Sequence, residues 1–491
     1  MTPRRAFLAI DLGAGSGRAF LGGFDGPGPL LEEVRRFRYV PERRAGHLRW
    51  DLAHILEEVH QAVRFAGRVV NARHERLVSV GVCSWGVDYG LLDAAGTLLE
   101  DPVCYRDART EGAIESVTRV VPRDEIFRRT GLQFLPFNTL FQLDAHRRAG
   151  LPPAAARLLM IPDLCHQSLS GQATGEYTNA STTQLLSLAT KDWDRELCLR
   201  LGLPTALLPP LQQPGADLGP LDPALARRPG LAGTRVVLPA THDTASAVVG
   251  TPLQPGWAYI SSGTWSLVGV ERDGALVAPD VARANFTNEG GAFGTVRFLK
   301  NVMGLWILEQ CRREWADAGR DVPLEQLMTA VAAEPAPLVV IDPDDPRFLA
   351  PASMLGALRA VLAESGQRVA ADPPALAKVV LDSLAARYAE VVETIEALTG
   401  EAVPGIHIVG GGSQNAYLDQ ATADASGRPV LAGPVEATAL GNLIVQAMAA
   451  GCFTTVAEAR RHVAAATRCR SFLPRPDSPF RRAGARPEVV A

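Results

Sequence analysis

Long apolar runs, paired cysteines and blocks of like charge are all missing from this 491-residue chain, and each absence removes a class of function. No stretch of eighteen or more apolar residues occurs, so a helix that crosses a bilayer is not expected. Near the start, the apolar run Ala6–Ile10 stops at Asp11, too short for the hydrophobic segment of a secretory leader despite Arg4 and Arg5 before it. The seven cysteines (Cys83, Cys104, Cys165, Cys198, Cys311, Cys452 and Cys469) are odd in number, scattered and never spaced as CxxC. That argues against both a disulfide framework and a zinc site. With 49 basic residues against 53 acidic ones, a net charge of −4 and no run of five or six like charges, there is no footprint for nucleic acid or a membrane surface. A cytoplasmic protein acting on small molecules is the expectation, as a monomer or small homo-oligomer.

What is present is an ordinary globular balance, 47% hydrophobic and 21% charged, in a chain long enough for two or three domains. Residues 7–24 read as a β-hairpin around a glycine-rich turn, with a third strand near Val34–Val40. Asp51 is a candidate N-cap for a helix to about residue 67, with Leu52, Ile55, Leu56, Val59 and Val63 on one face. The apolar run Leu77–Cys83 then reads as a buried strand. This β-β-β-α-β order is not the alternation of a doubly wound sheet. A similar layout recurs: strand Trp257–Ser262, turn Gly263–Ser266, strand Leu267–Glu271, a helix over about 374–399, strand Ile406–Val409 and Gly410-Gly411-Gly412, then two helices flanking Pro429–Leu431. Two copies of one unit imply an α/β protein of two lobes facing a cleft. The boundary is expected near 250, the second lobe reaching 475. Proline- and glycine-rich stretches at 207–220 and 226–234 read as loops, and 476–491 as an extended tail.

Four turns carry candidate chemistry. Asp11-Leu12-Gly13-Ala14-Gly15-Ser16-Gly17-Arg18 closes the first strand, where small residues let backbone N–H groups approach a phosphate. A dinucleotide loop opens a helix and has its carboxylate downstream; here a strand follows and Asp11 precedes the glycines. Asp11 would repel a bare phosphate, so it points to a bridging Mg²⁺, a hard cation suited to oxygen ligands. Ser261-Ser262-Gly263-Thr264 is the counterpart turn in the second lobe. In His242-Asp243-Thr244, Asp243 reads either as a helix cap or as a general base. His242 beside it is either a substrate donor or structural. Gly410–Gly412, between a strand and a helix, suits nucleotide contacts at a helix N-terminus or is a tight turn. Ser84-Trp85-Gly86-Val87-Asp88 and Tyr105-Arg106-Asp107-Ala108-Arg109 offer sugar-binding groups or a salt-bridged loop.

Together these segments resemble the FGGY carbohydrate kinases of the actin/hexokinase superfamily, over residues 7–475. The resemblance extends through Gln133–Thr139, Glu176–Asn179, Thr182–Leu185, Asn288–Gly291, Leu299–Asn301, Gly304–Trp306 and Gly433–Ala437. It implies two RNase H-like lobes, each a mixed sheet flanked by helices, with ATP as co-substrate and Mg²⁺ as metal. It also implies transfer of a phosphoryl group to O1 of L-rhamnulose, with other ketoses (L-fuculose, L-xylulose) as alternatives. By motif position Asp243 matches the proton acceptor. Ala14, Gly15, Ser16, Gly17, Arg18, Thr264 and Gly411 match ATP contacts, and Gly86, His242, Asp243, Thr244 and Asn301 match sugar contacts. One position departs from the pattern: Glu309 stands where relatives carry a nucleotide-touching glutamine, with Gln310 next to it. A nucleotide-binding switch of the actin superfamily is the alternative of another class; the aromatic and His-Asp residues of a sugar pocket argue against it.

Overall fold

The computed structural model describes residues 4–26, 28–335, 338–367 and 369–482; of the segment read as a tail, 483–491 lie outside the described residues. The chain divides into two compact units. The first holds the described residues of Met1–Pro252 together with Glu271–Phe298 and Ala437–Thr467. The second holds those of Leu253–Val270, Leu299–Glu436 and Arg468–Ala491. The chain passes from the first unit to the second after Pro252 and returns to the first for Glu271–Phe298 and Ala437–Thr467.

The first unit is built on β1 (Arg5–Leu12), β2 (Ser16–Gly23), β3 (Leu30–Arg38), α1 (Leu52–Ala72), β4 (Arg76–Ser84), β5 (Asp217–Pro220), β6 (Arg235–Val237) and α2 (Asp243–Gly250). Its sheet runs β5-β6-β4-β1-β2-β3. The central strand β1 is buried from Ala6 onward, as an apolar run with no alternation requires. It pairs antiparallel with β2 and parallel with β4, so that Asp11 stands opposite both Arg18 and Cys83. The Asp51 side chain caps α1 by accepting from the His54 N–H at 2.9 Å. Leu52, Ile55, Val59 and Val63 are buried as their spacing predicts, and Val70 carries the buried stripe past residue 67. Within the stretch read as a loop, Asp217–Pro220 is instead an edge strand, antiparallel to β6. Its Gly219 and Pro220 disguise it, and an edge tolerates both.

Helix Ala437–Ala449 also belongs to this unit. It is almost wholly buried, and its two amides bond strand backbone: Asn442 Nδ2 donates to Gly81 O at 3.1 Å and Gln446 Nε2 to Leu8 O at 3.0 Å. Its Gly441 meets α2 so closely that a methyl there would strike the Ser246 carbonyl, and one on Gly250 would strike that of Ala437. The residues after Asp243 are therefore held by backbone-to-backbone packing.

The second unit is built on β7 (Ala258–Ser262), β8 (Trp265–Arg272) as far as Val270, β9 (Val296–Met303) from Leu299 onward, its first residues including Arg297 belonging to the first unit, α3 (Trp306–Asp317), α4 (Pro373–Thr399), β10 (Ile406–Val409), α5 (Ala416–Ser426), β11 (Val430–Ala432) and β12 (Arg470–Phe472). Their order in the sheet is β9-β8-β7-β10-β11-β12. β7 and β8 form an antiparallel hairpin closed at Ser262 and Ser266, while β7 runs parallel to β10. α4 begins at the Asp372 cap and ends at Gly400 in the left-handed region, φ 70°. Pro479–Arg482 forms a short helical turn within the segment read as extended.

Candidate active site

In the first unit, two strand ends and the segment that follows β6 carry the expected residues. Leu12 pairs with Ser84, the Ser84 N–H donates to Thr241 O at 2.9 Å, and Ser84 bridges His242. Asp11, Ser84 and His242 therefore end adjacent parallel segments, the edge where open α/β sheets bind ligands. Asp11 is buried, and Arg18 Nη2 donates to its Oδ2 at 2.9 Å. The turn between them is tied by Gly13 N–H to Ser16 O at 2.9 Å and by the Tyr39 hydroxyl donating to Gly13 O at 2.6 Å. Burial, then the Asp11 charge, pushes the Tyr39 phenol well up, so it remains a donor. Asp243 adds to the same effect, and both carboxylates also help raise the buried Cys83 thiol.

The glycines of this turn differ in what they are for. A methyl on Gly17 would enter the Phe37 ring, so its bareness serves packing. Gly13 and Gly15 have neither a crowded Cβ position nor a positive φ. Ala14, Gly15 and Ser16 are partly or fully exposed.

Asp243 opens α2, but the N-cap position is His242 and no side chain caps the helix. The carboxylate accepts at its Oδ1 from the Thr244 N–H at 2.6 Å and hydroxyl at 3.2 Å. It remains 32% exposed. The segment leading to it is fixed by Glu176, whose inaccessible carboxylate accepts from the N–H and hydroxyl of Thr241 at 2.9 and 2.6 Å. Glu176 also accepts from the N–H and hydroxyl of Thr178 at 2.8 and 2.6 Å, and burial raises its pKa against these bonds. The His242 N–H completes the knot by donating to the Thr178 hydroxyl at 3.2 Å. In Glu176→Gln one acceptor oxygen becomes an amide facing donors. We expect a loss of about 2 kcal/mol in unfolding free energy by urea titration, the cost of stranding buried donors.

Gly86 abuts Thr182, which a methyl would strike. Val87 beside it sits at φ 70°, a strained conformation for a β-branched residue. Its carbonyl is clamped by the Thr139 hydroxyl at 2.8 Å and Gln142 Nε2 at 3.2 Å. Asp88 is buried under donors from Trp50 Nε1, Trp85 Nε1, Gln142 and the Tyr105 N–H, with burial pushing its pKa up to about 6. Trp85 and Tyr105 are themselves buried, Trp85 against Trp50 with ring centroids 4.6 Å apart. Asp107 bonds His47, the Leu48 N–H and the Arg109 N–H. The Trp85 indole N–H and the Asp107 carboxylate are thus bonded within the fold, and the Tyr105 ring packs on Phe137 with centroids 5.5 Å apart.

In the second unit, the carbonyls of Gly263 and Thr264 accept from the backbone that starts α3: Leu305 N–H to Gly263 O at 2.9 Å and Gly304 N–H to Thr264 O at 3.1 Å. Gly410, at φ 81°, and Gly412 both press on Ser262, whereas Gly411 has nothing within 4 Å of its Cβ position. Gly411 lines a cavity of about 1200 Å³ with Leu305, Met328, Val331, Asn415 and Tyr417. Glu309 is on its wall, ion-paired with Arg312 at 3.1 Å and Arg313 at 3.3 Å, while Gln310 is absent from it. Asn301 lies half-buried in β9. The cavity also holds a cluster that motif reading missed. Lys378 Nζ donates to Asp382 Oδ2 at 2.6 Å, and the Tyr417 hydroxyl to Asp382 Oδ1 at 2.7 Å. The available signal was two opposite charges at i and i+4 on the otherwise apolar face of α4.

The N-terminal domain model of the FGGY family of carbohydrate kinases matches residues 6–250, and its C-terminal domain model residues 258–450. The chain belongs to this family and is a carbohydrate kinase. The rhamnulokinase of Pectobacterium carotovorum subsp. carotovorum is 44% identical over 96% of this chain and 94% of its own. The rhamnulokinases of Bacteroides thetaiotaomicron and Bacillus subtilis are 39% and 37% identical, each over 96% of this chain and over 96% and 95% of their own. Among solved structures, gluconate kinase from Lactobacillus acidophilus superposes with a TM-score of 0.79 at 15% identity, over 98% of this chain and 95% of that one. Xylulose kinase from Rhodospirillum rubrum does so at 0.76 and 19%, over 98% of each. The fold is thus the actin/hexokinase type, two mixed α/β units with helices flanking each sheet.

Proposed function

We propose that the chain transfers the γ-phosphoryl group of ATP to O1 of L-rhamnulose, giving L-rhamnulose 1-phosphate and ADP, as a cytoplasmic step of rhamnose breakdown. The observation that carries this reading is the near-full-length match to rhamnulokinases at 37–44% identity. The thiols of all seven cysteines are free, which suits a reducing compartment.

Asp243 accepts the proton of the O1 hydroxyl as O1 attacks the γ-phosphorus; the bond from that phosphorus to the β,γ-bridging oxygen breaks and ADP departs. Gly86, His242, Thr244 and Asn301 hold the ketose. Ala14, Gly15, Ser16, Gly17 and Arg18 hold ATP through backbone N–H groups and a guanidinium, and Thr264 and Gly411 are further ATP contacts. Two glycines with no packing reason to be bare, Gly13 and Gly15, support a phosphate's close approach to the turn. Asp11 is the candidate Mg²⁺ residue. Among the described residues no three His, Cys, Asp or Glu side chains converge as a cage. A single buried carboxylate fits Mg²⁺, which commonly keeps its waters and takes one or two carboxylates plus phosphate oxygens. Bound there, Mg²⁺ supplies charge neutralisation for the phosphates.

A coupled ATP-consumption assay over L-rhamnulose, L-fuculose, L- and D-xylulose and glycerol tests the substrate. We expect the highest kcat/KM on L-rhamnulose; a preference of about tenfold for xylulose or glycerol overturns the choice of sugar.

A further inference from the structure

Behind His242 lies an arginine that no sequence motif singled out. Arg297 is inaccessible to solvent. Its Nε donates to Gly290 O at 3.0 Å, and its Nη2 lies 3.0 Å from His242 Nδ1 and 3.1 Å from Glu289 Oε2. A guanidinium carries only donors. Its approach to Nδ1 at hydrogen-bond distance therefore requires the lone pair there and leaves the ring proton on Nε2. Glu289 Oε2 is 3.3 Å from the same Nδ1 and would favour the opposite tautomer. It is the longer contact, however, and that carboxylate's charge is already answered by Arg297. On the far side of the ring, Nε2 stands 3.4 Å from Asp243 Oδ1.

We infer that Arg297 is a positioning residue that locks His242 in the Nε2–H tautomer, making the imidazole a donor to a ketose oxygen beside Asp243. The inference rests on the reading of His242 and Asp243 as the ketose site. The opposite tautomer would turn an Nε2 lone pair toward the Asp243 carboxylate and toward the sugar oxygen. It would repel the first, could donate nothing to the second, and would compete with Asp243 for a hydroxyl proton.

Nitrogen-15 NMR of the histidine-labelled enzyme decides the tautomer in the wild type, with the His242 signals assigned by their loss in His242→Gln. We expect a protonated Nε2 and a bare Nδ1; the reverse overturns the inference without any Arg297 variant having to fold. In steady-state kinetics Arg297→Met should raise the ketose KM roughly tenfold, as loss of one oriented hydrogen bond does, with the ATP KM unmoved. Arg297→Lys, which keeps a cationic donor but not the guanidinium fork, should fall between. An Arg297→Met enzyme with wild-type ketose KM and an unchanged His242 tautomer also overturns it. Failure of the underlying site reading shows differently, as undiminished turnover by Asp243→Asn while the wild-type tautomer stands.

Discussion

Asp243→Asn should retain its fold and lose about two to four orders of magnitude in kcat, the contribution of a positioned general base. An asparagine carbonyl keeps both bonds that Asp243 Oδ1 now accepts, from the Thr244 N–H and hydroxyl. The helix it opens has no side-chain cap to lose and is held through Gly250 and Gly441, so Tm should hardly move. What the amide lacks is the capacity to take the proton of the attacking hydroxyl. With phosphate contacts untouched, the KM for ATP should stay near the wild-type value. A purely structural Asp243 predicts activity falling only in step with stability. A folded variant running within about threefold of wild type on its best sugar sinks the assignment, since a general base contributes far more than that.

Chelation should have an effect at least as large: EDTA is expected to abolish turnover and added Mg²⁺ to restore it. The finer test is Asp11→Asn, which should raise the half-saturating Mg²⁺ concentration roughly tenfold, the low end of what loss of a metal-orienting carboxylate costs. Arg18 already offsets the Asp11 charge at 2.9 Å. If that pair is all Asp11 does, the substitution lowers stability by no more than about 1 kcal/mol for a partly exposed pair and leaves the Mg²⁺ dependence unchanged. Full activity in rigorously metal-free enzyme removes the metal role altogether.

The glycine-rich motifs show where sequence reasoning reaches and where it stops. The string Gly13-Ala14-Gly15-Ser16-Gly17 looks uniform, yet Gly17 is bare for Phe37, while Gly13 and Gly15 have no such neighbour. The same split divides Gly410 and Gly412, packed on Ser262, from Gly411, which opens on the cavity. A glycine needed for packing and one needed for a ligand are spelled alike, and only the surrounding atoms separate them. The aromatics behave similarly. Trp85 and Tyr105 read in the sequence as a sugar platform or a loop, and only the structure shows the Trp85 indole N–H and the Tyr105 backbone N–H both turned to the Asp88 carboxylate.

By itself the sequence determined the local elements and the order of the chemical turns. Apolar runs, the Asp51 cap and the small-residue turns act within a few residues of one another, so their consequences are written locally. The tertiary structure alone decided which distant segments share a unit. Helix Ala437–Ala449 joins the first unit because Asn442 and Gln446 answer the carbonyls of Gly81 and Leu8, hundreds of residues away. It likewise decided that Glu176 holds Thr241 and that Arg297 backs His242. A buried charge persists only where its partners converge in space, and no spacing along the chain records that convergence.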